Sequence, residues 1–230
     1  SIKKPNKLGI TTFKDFSITE LRDYIDWTPF FQTWELKGKY PAIFDDPKIG
    51  EESKKLFEDA NDLLEKISKE RLLIANGVAG IFPANSVSFD DIEIYSDEKR
   101  HGVKRLLHTI RQQMLKSDKQ PNIALADFIA TKESGVKDYI GMFAVTTGIG
   151  IEVLTKKFEK ELDDYNTILI KAIADRLAEA FAELLHEKVR KEYWGYAENE
   201  NLSSKELIKE KYLQNTYIKS TLIELHEEIL

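Results

Sequence analysis

The spacing of apolar residues changes twice along this chain, and that double change restricts the fold more than any motif does. Before Asn76-Gly77 the pattern is helical: Leu56, Phe57, Ala60, Leu63, Leu64 and Ile67 recur on one face, with lysines and acids opposite. At Asn76-Gly77 it gives way to short runs, Val78–Phe82 and Ile92–Tyr95, separated by the turn formers Pro83, Asn85 and Asp90-Asp91. That spacing predicts paired strands. From Ile151 to Tyr193 the helical period returns, as two helices or one kinked helix, after the break Gly148-Ile149-Gly150. Strands and helices do not alternate regularly, and no internal repeat is present. The expected class is α+β, with helices packed around a small, mainly antiparallel twisted sheet.

The remaining segments are less strongly patterned. Ser1–Lys14 is polar and without period, so residues 1–16 read as a linker or the tail of a preceding module. Ser17 with Glu20 three residues on has the form of a capping box, and Thr28-Pro29 that of an N-cap followed by proline at the first helical position. Gly38 would end that short helix, and Asp46-Pro47 would start the next. Asp97–Leu115 has helical spacing through Val103, Leu106, Leu107, Ile110 and Met114. Ile123–Ile129 and Tyr139–Thr146 read as two further strands, Ser203–Tyr212 as a short helix. Residues 220–230 form a helical stripe through Leu222, Leu225 and Ile229.

Composition narrows the function classes. A net charge of -6 argues against a broad nucleic-acid footprint, which requires a basic stripe. No run approaches the ~18 apolar residues of a membrane span, and no secretory signal opens the chain. With no cysteine there is no disulfide, thiolate nucleophile or Cys-based zinc site, in keeping with a cytoplasmic setting.

Few residues then carry candidate chemistry. Asp26 lies in Tyr24-Ile25-Asp26-Trp27-Thr28-Pro29-Phe30-Phe31, a carboxylate among four aromatic residues. A carboxylate is costly to hold among rings unless partnered. It either caps a local turn or meets a cationic or hydrogen-donating ligand. His186-Glu187-Lys188-Val189-Arg190 begins like a zinc-protease helix, but Arg190 stands where the second histidine must be. His101, His108 and His226 have no ligand spacing and read as surface or capping residues. Thr146-Thr147-Gly148-Ile149-Gly150 lacks both the third glycine of a dinucleotide loop and the Gly-Lys of a P-loop, so a tight strand-to-helix turn is favoured. Ala174, Ala178 and Ala182 recur every fourth residue beside an acidic stripe of Asp175, Glu179 and Glu183. That face either packs in the core beside a solvated stripe or meets a partner.

Taken in order, a series of motifs resembles one family. They are Leu21–Phe31, Trp34, Gly38–Pro41, Phe82-Pro83-Ala84-Asn85, Asp91–Tyr95, Arg111-Gln112-Gln113 and Leu125–Phe128. Asp138–Gly141, Asp163-Asp164-Tyr165-Asn166, Ala174–Phe181, Tyr193-Trp194-Gly195-Tyr196 and Glu200-Asn201-Leu202 continue the series. Over residues 17–212 the chain resembles the C-terminal, S-adenosylmethionine-binding reactivation domain of cobalamin-dependent methionine synthase. The resemblance implies a module that presents a methyl donor to cobalamin bound by a separate module, while a flavodoxin-type reductase supplies an electron. Proximity and orientation would then account for the rate. It implies that Asp26 accepts from the ligand's amino group, that Glu179 lies near the same ligand, and that Asp175 faces the cobalamin module. Metal ligands are not implied in this chain.

The resemblance stops after Tyr212. The family continues with Arg-Pro-x-x-Gly-Tyr-Pro, whereas this chain reads Leu213-Gln214-Asn215-Thr216-Tyr217. Residues 213–230 are therefore expected to be a divergent, helical segment without the family's closing strands. The alternative function is a module that docks a cobalamin protein or reductase without holding S-adenosylmethionine.

Overall fold

The computed structural model describes residues 2–116 and 120–202 and the backbone of Leu222–His226. Among these are β1 (Gly9–Phe16), α1 (Ile18–Leu21), α2 (Trp27–Thr33), α3 (Gly50–Glu70), β2 (Ile74–Val87), β3 (Asp91–Tyr95) and β4 (Val103–His108). They continue with β5 (Asp138–Ile149), α4 (Ile151–Lys160), α5 (Asp164–Lys188) and β6 (Leu222–His226). The strands form one sheet in the order β4-β3-β2-β5-β6, with β1 also pairing β2. The pairs β2–β3 and β3–β4 are antiparallel, with Ser86 opposite Ile92 and Ile92 opposite Leu107. This is the expected α+β class. No helix among the described residues is long and apolar enough to cross a membrane.

The described residues divide into two units. One is centred on Thr12–Gly77 and Ala144–Leu184. Its α3 buries Leu56, Ala60, Leu64 and Ile67, the stripe expected from spacing, and stops at Arg71 in the left-handed conformation. Gly50 opens α3 because a Cβ there would lie 2.5 Å from the Phe44 carbonyl. Helix α5 is buried around most of its circumference, through Leu169, Ile170, Ile173, Leu177 and Phe181. Ala174, Ala178 and Ala182 are interior as well, and the Thr147 hydroxyl donates to the Ala174 carbonyl at 2.7 Å. The alanine stripe is thus core, and it lets β5 approach the helix backbone. The strand-to-helix turn is settled at Gly150, whose φ of +103° and 2.8 Å clearance to the Leu72 carbonyl leave no room for a side chain.

The other unit is centred on Val78–Phe143, with segments from both ends of the chain. Ala84, Ile92, Ile94, Ala126, Ile129 and Ile140 form one core cluster; Ile81, Tyr139, Val189 and Trp194 form a second. Asn85 donates to the carbonyls of Ala130 and Val136 at 2.8 and 2.9 Å, holding the loop ahead of β5. Arg100 lies over the Tyr95 ring and donates to the carbonyls of Ala84 and Asp138. Burial pushes the Asp138 carboxyl above its ordinary value, against the pull of two backbone N–H donors, from Ala130 and Tyr139.

Several local expectations are overturned. Gly9–Phe16, within the expected linker, is strand β1, and Trp194 donates its indole N–H to the Lys3 carbonyl at 3.0 Å. The stretch expected as a helix over Asp97–Leu115 contains strand β4 instead. Val103, Leu106, Ile110 and Met114 of its supposed buried stripe are all exposed, so pairing with β3 outweighs the local period. Leu125–Phe128 is a 3-10 turn where a strand was expected, with Asp127 accepting from the Ala124 N–H and from Arg111. Leu222–His226 is a strand where spacing predicts a helix, because the edge of β5 offers hydrogen bonds that a local pattern does not register. The helix expected over Ser203–Tyr212 lies outside the described residues.

Candidate ligand site

Asp26 is the N-cap of α2. Its backbone is extended and its Oδ1 accepts from the Thr28 N–H at 2.9 Å. The helix therefore starts at Trp27, two residues before the Pro29 start that the Thr28-Pro29 signal implies, because the Asp26 carboxylate satisfies the N–H of Thr28, the second residue of the first turn. Three of the four aromatic residues around it are packed in the interior. Trp27, Phe30 and Phe31 are buried, and Trp27 meets Phe57 of α3 edge-on at 4.8 Å. Asp26 itself is half-buried, and its Oδ2 makes no hydrogen bond among the described residues. It can therefore cap the helix through one oxygen and accept from a ligand through the other.

The chain leaving α2 returns to the start of the same helix. Trp34 ends α2, and its ring lies 5.0 Å from that of Tyr165, whose hydroxyl donates to Asp59 at 2.6 Å. Burial, then the Asp59 carboxylate, raises the Tyr165 pKa, so its proton stays in that bond. At the loop's far end the Tyr40 N–H donates to the Thr28 hydroxyl at 3.3 Å. Gln32, Glu35, Lys37, Gly38 and Lys39 line a cleft of about 880 Å³ along this loop. Thr28 is the residue that sequence reasoning misassigned: its hydroxyl holds the returning loop and does not cap the helix. Its place two residues after an aspartate was the available signal.

Asp175 and Glu179 lie one turn apart on α5, both half-buried, so the acidic stripe is not a solvated face. Asp175 is ion-paired with the adjacent Arg176. Glu179 has interactions of its own. Arg190, where a zinc helix would need histidine, is 1% exposed and donates from Nε and Nη2 to Glu200 at 3.0 and 2.8 Å. Among the described residues no group of three or more His, Asp or Glu side chains could hold a metal ion. Much of the motif series is structural. Asp163 takes the Asn166 N–H at 3.0 Å and the Asn166 amide at 2.6 Å at the start of α5, and those bonds hold its pKa below the usual value.

Comparison with known proteins places this arrangement. The family described as vitamin B12 dependent methionine synthase, activation domain, matches residues 17–217. The chain belongs to that family. It is also similar to a crystal structure of the MetH reactivation domain bound to AdoHcy, at 56% identity and a TM-score of 0.88. The similarity covers 92% of this chain and 64% of that one, so this activation-domain sequence spans less than two thirds of its solved relative. The motif series from Leu21 to Leu202 falls inside the matched region, which continues to residue 217, past Tyr212, where the resemblance was expected to stop.

Proposed function

We propose that the chain is the reactivation module of a cobalamin-dependent methionine synthase, holding S-adenosylmethionine with its methyl group presented to cobalamin. The observation that carries this reading is the 56% identity, over 92% of the chain, with a reactivation domain bound to AdoHcy. The residues fit such a ligand. Asp26 offers a fixed carboxylate oxygen to an α-ammonium group, a charge-assisted contact that gains strength from partial burial. Glu179 is assigned to the same ligand, and Asp175 to the edge that meets the cobalamin module. Cobalamin, carried by a separate module, supplies the nucleophilic metal, and a flavodoxin-type reductase supplies the electron. This chain binds, orients and excludes water, and the methyltransferase activity belongs to the whole enzyme. Calorimetric titration with S-adenosylmethionine tests the reading. Saturable heat at about one ligand per chain is expected for a single site. A folded sample that gives no heat at millimolar ligand would overturn it and leave docking without the ligand.

A further inference from the structure

We infer that Thr28 is a positioning residue for the ligand, acting through Asp26. The inference rests on the reading of Asp26 as acceptor of the ligand's ammonium. Two hydrogen bonds converge on Thr28. Its N–H holds Asp26 Oδ1 at 2.9 Å, and its hydroxyl accepts from the Tyr40 N–H at 3.3 Å. Any residue other than proline supplies that N–H, so the helix cap does not require a hydroxyl. The hydroxyl is needed by the returning loop.

Tyr40 is itself pinned. Its ring stacks on Phe57 at 5.5 Å and meets Phe44 edge-on at 5.6 Å. Phe57 in turn packs against Trp27 at 4.8 Å, and Trp27 is the covalent neighbour of Asp26. The contacts therefore close a circuit from Asp26 through Thr28, Tyr40, Phe57 and Trp27 back to Asp26. Within it the carboxylate is fixed at its backbone by Trp27 and at Oδ1 by Thr28. One oxygen remains for the ligand, in an orientation set before binding. Fixing a binding group in advance removes the cost of ordering it when the ligand arrives. Without the hydroxyl, residue 28 still has an N–H to cap the helix, but the returning loop no longer fixes where that N–H, and with it Asp26 Oδ1, is held.

The test compares Thr28→Ala, Thr28→Ser, Asp26→Asn and the Asp26→Asn/Thr28→Ala double variant. S-adenosylmethionine affinity is measured by calorimetry and the unfolding midpoint of each ligand-free protein by circular dichroism. Thr28→Ala is expected to weaken binding about three- to tenfold, the worth of one hydrogen bond. Thr28→Ser, which keeps the hydroxyl, should stay within about twofold of the parent. In the Asp26→Asn background the alanine should have no further effect, because the group it orients is already lost. A fully additive double variant would overturn the inference, as would unchanged affinity in Thr28→Ala beside weakened affinity in Asp26→Asn. Unchanged affinity in Asp26→Asn would instead overturn the ligand role of Asp26, and this inference with it. Should Thr28→Ala fail to fold, Thr28→Val takes its place. Failure of both would make the hydroxyl a stability element and overturn the assignment.

Discussion

Replacing Arg190 with methionine tests the energetics of the most deeply buried charged side chain among the described residues. Arg190 and Glu200 are 1% and 4% exposed and share two charge-assisted hydrogen bonds, at 3.0 and 2.8 Å. Methionine fills a similar volume but leaves the Glu200 carboxylate enclosed with neither bond. Breaking one side of such a pair costs about 3–5 kcal/mol, because the remaining charge stays desolvated. With a urea m-value of about 2 kcal/mol/M for a chain of this size, the unfolding midpoint should fall by roughly 1.5–2.5 M. The assay is urea unfolding followed by far-ultraviolet circular dichroism. The Arg190→Met/Glu200→Leu double variant should recover most of the loss, since an apolar pair carries no desolvation penalty. A single variant within about 0.5 M of the parent would refute the argument. So would a double variant as unstable as the single, which would mean packing and not charge sets the cost.

Two further substitutions test the local structure. Gly150→Ala forces a Cβ against the Leu72 carbonyl at a φ of +103° and should destabilise by about 1–2 kcal/mol, read as a lowered thermal midpoint. An unchanged midpoint would show that the turn relaxes freely. Arg111→Met removes the pairing that holds the Asp127 carboxyl below its ordinary 3.8. A depressed carboxyl contributes stability above its unfolded pKa, lost as pH falls through the lower folded value. The parent should therefore exceed the variant near neutrality, and the gap should narrow below about pH 4, measured by unfolding at stepped pH. A gap independent of pH would exclude the ion pair as its source.

What could be read from sequence follows from where each element finds its energy. Helix α3 was legible because one stripe, Leu56 to Ile67, is buried and the opposite face is charged. Helix α5 was legible as helix, but whether its alanines met a partner was not, since Ala174, Ala178 and Ala182 bury against another part of the same chain. The stretch holding β4 was misread because Val103, Leu106, Leu107, Ile110 and Met114 keep helical spacing, yet of these Leu107 packs against the core while the other four are exposed; its structure comes from pairing with β3. Strands β1 and β6 likewise depend on the edges they meet. The Asp26 question, cap or ligand partner, proved not to be a choice. One oxygen is in the cap, and of the rings that drew attention to the residue Trp27, Phe30 and Phe31 belong to the core. Nothing in the local run showed that Tyr40 returns to Thr28, a contact across 12 residues.

The proposed role of Asp26, holding S-adenosylmethionine, is open to direct measurement. The direct measurement is equilibrium dialysis of methyl-labelled S-adenosylmethionine against the parent chain and Asp26→Asn, both shown to be folded. Asparagine keeps the cap acceptor and removes the charge facing the ammonium. The account predicts saturable retention by the parent and a dissociation constant about tenfold or more higher for the variant, the worth of a hydrogen bond to a charged group. Equal affinity in the two proteins would contradict it and reduce Asp26 to a helix cap.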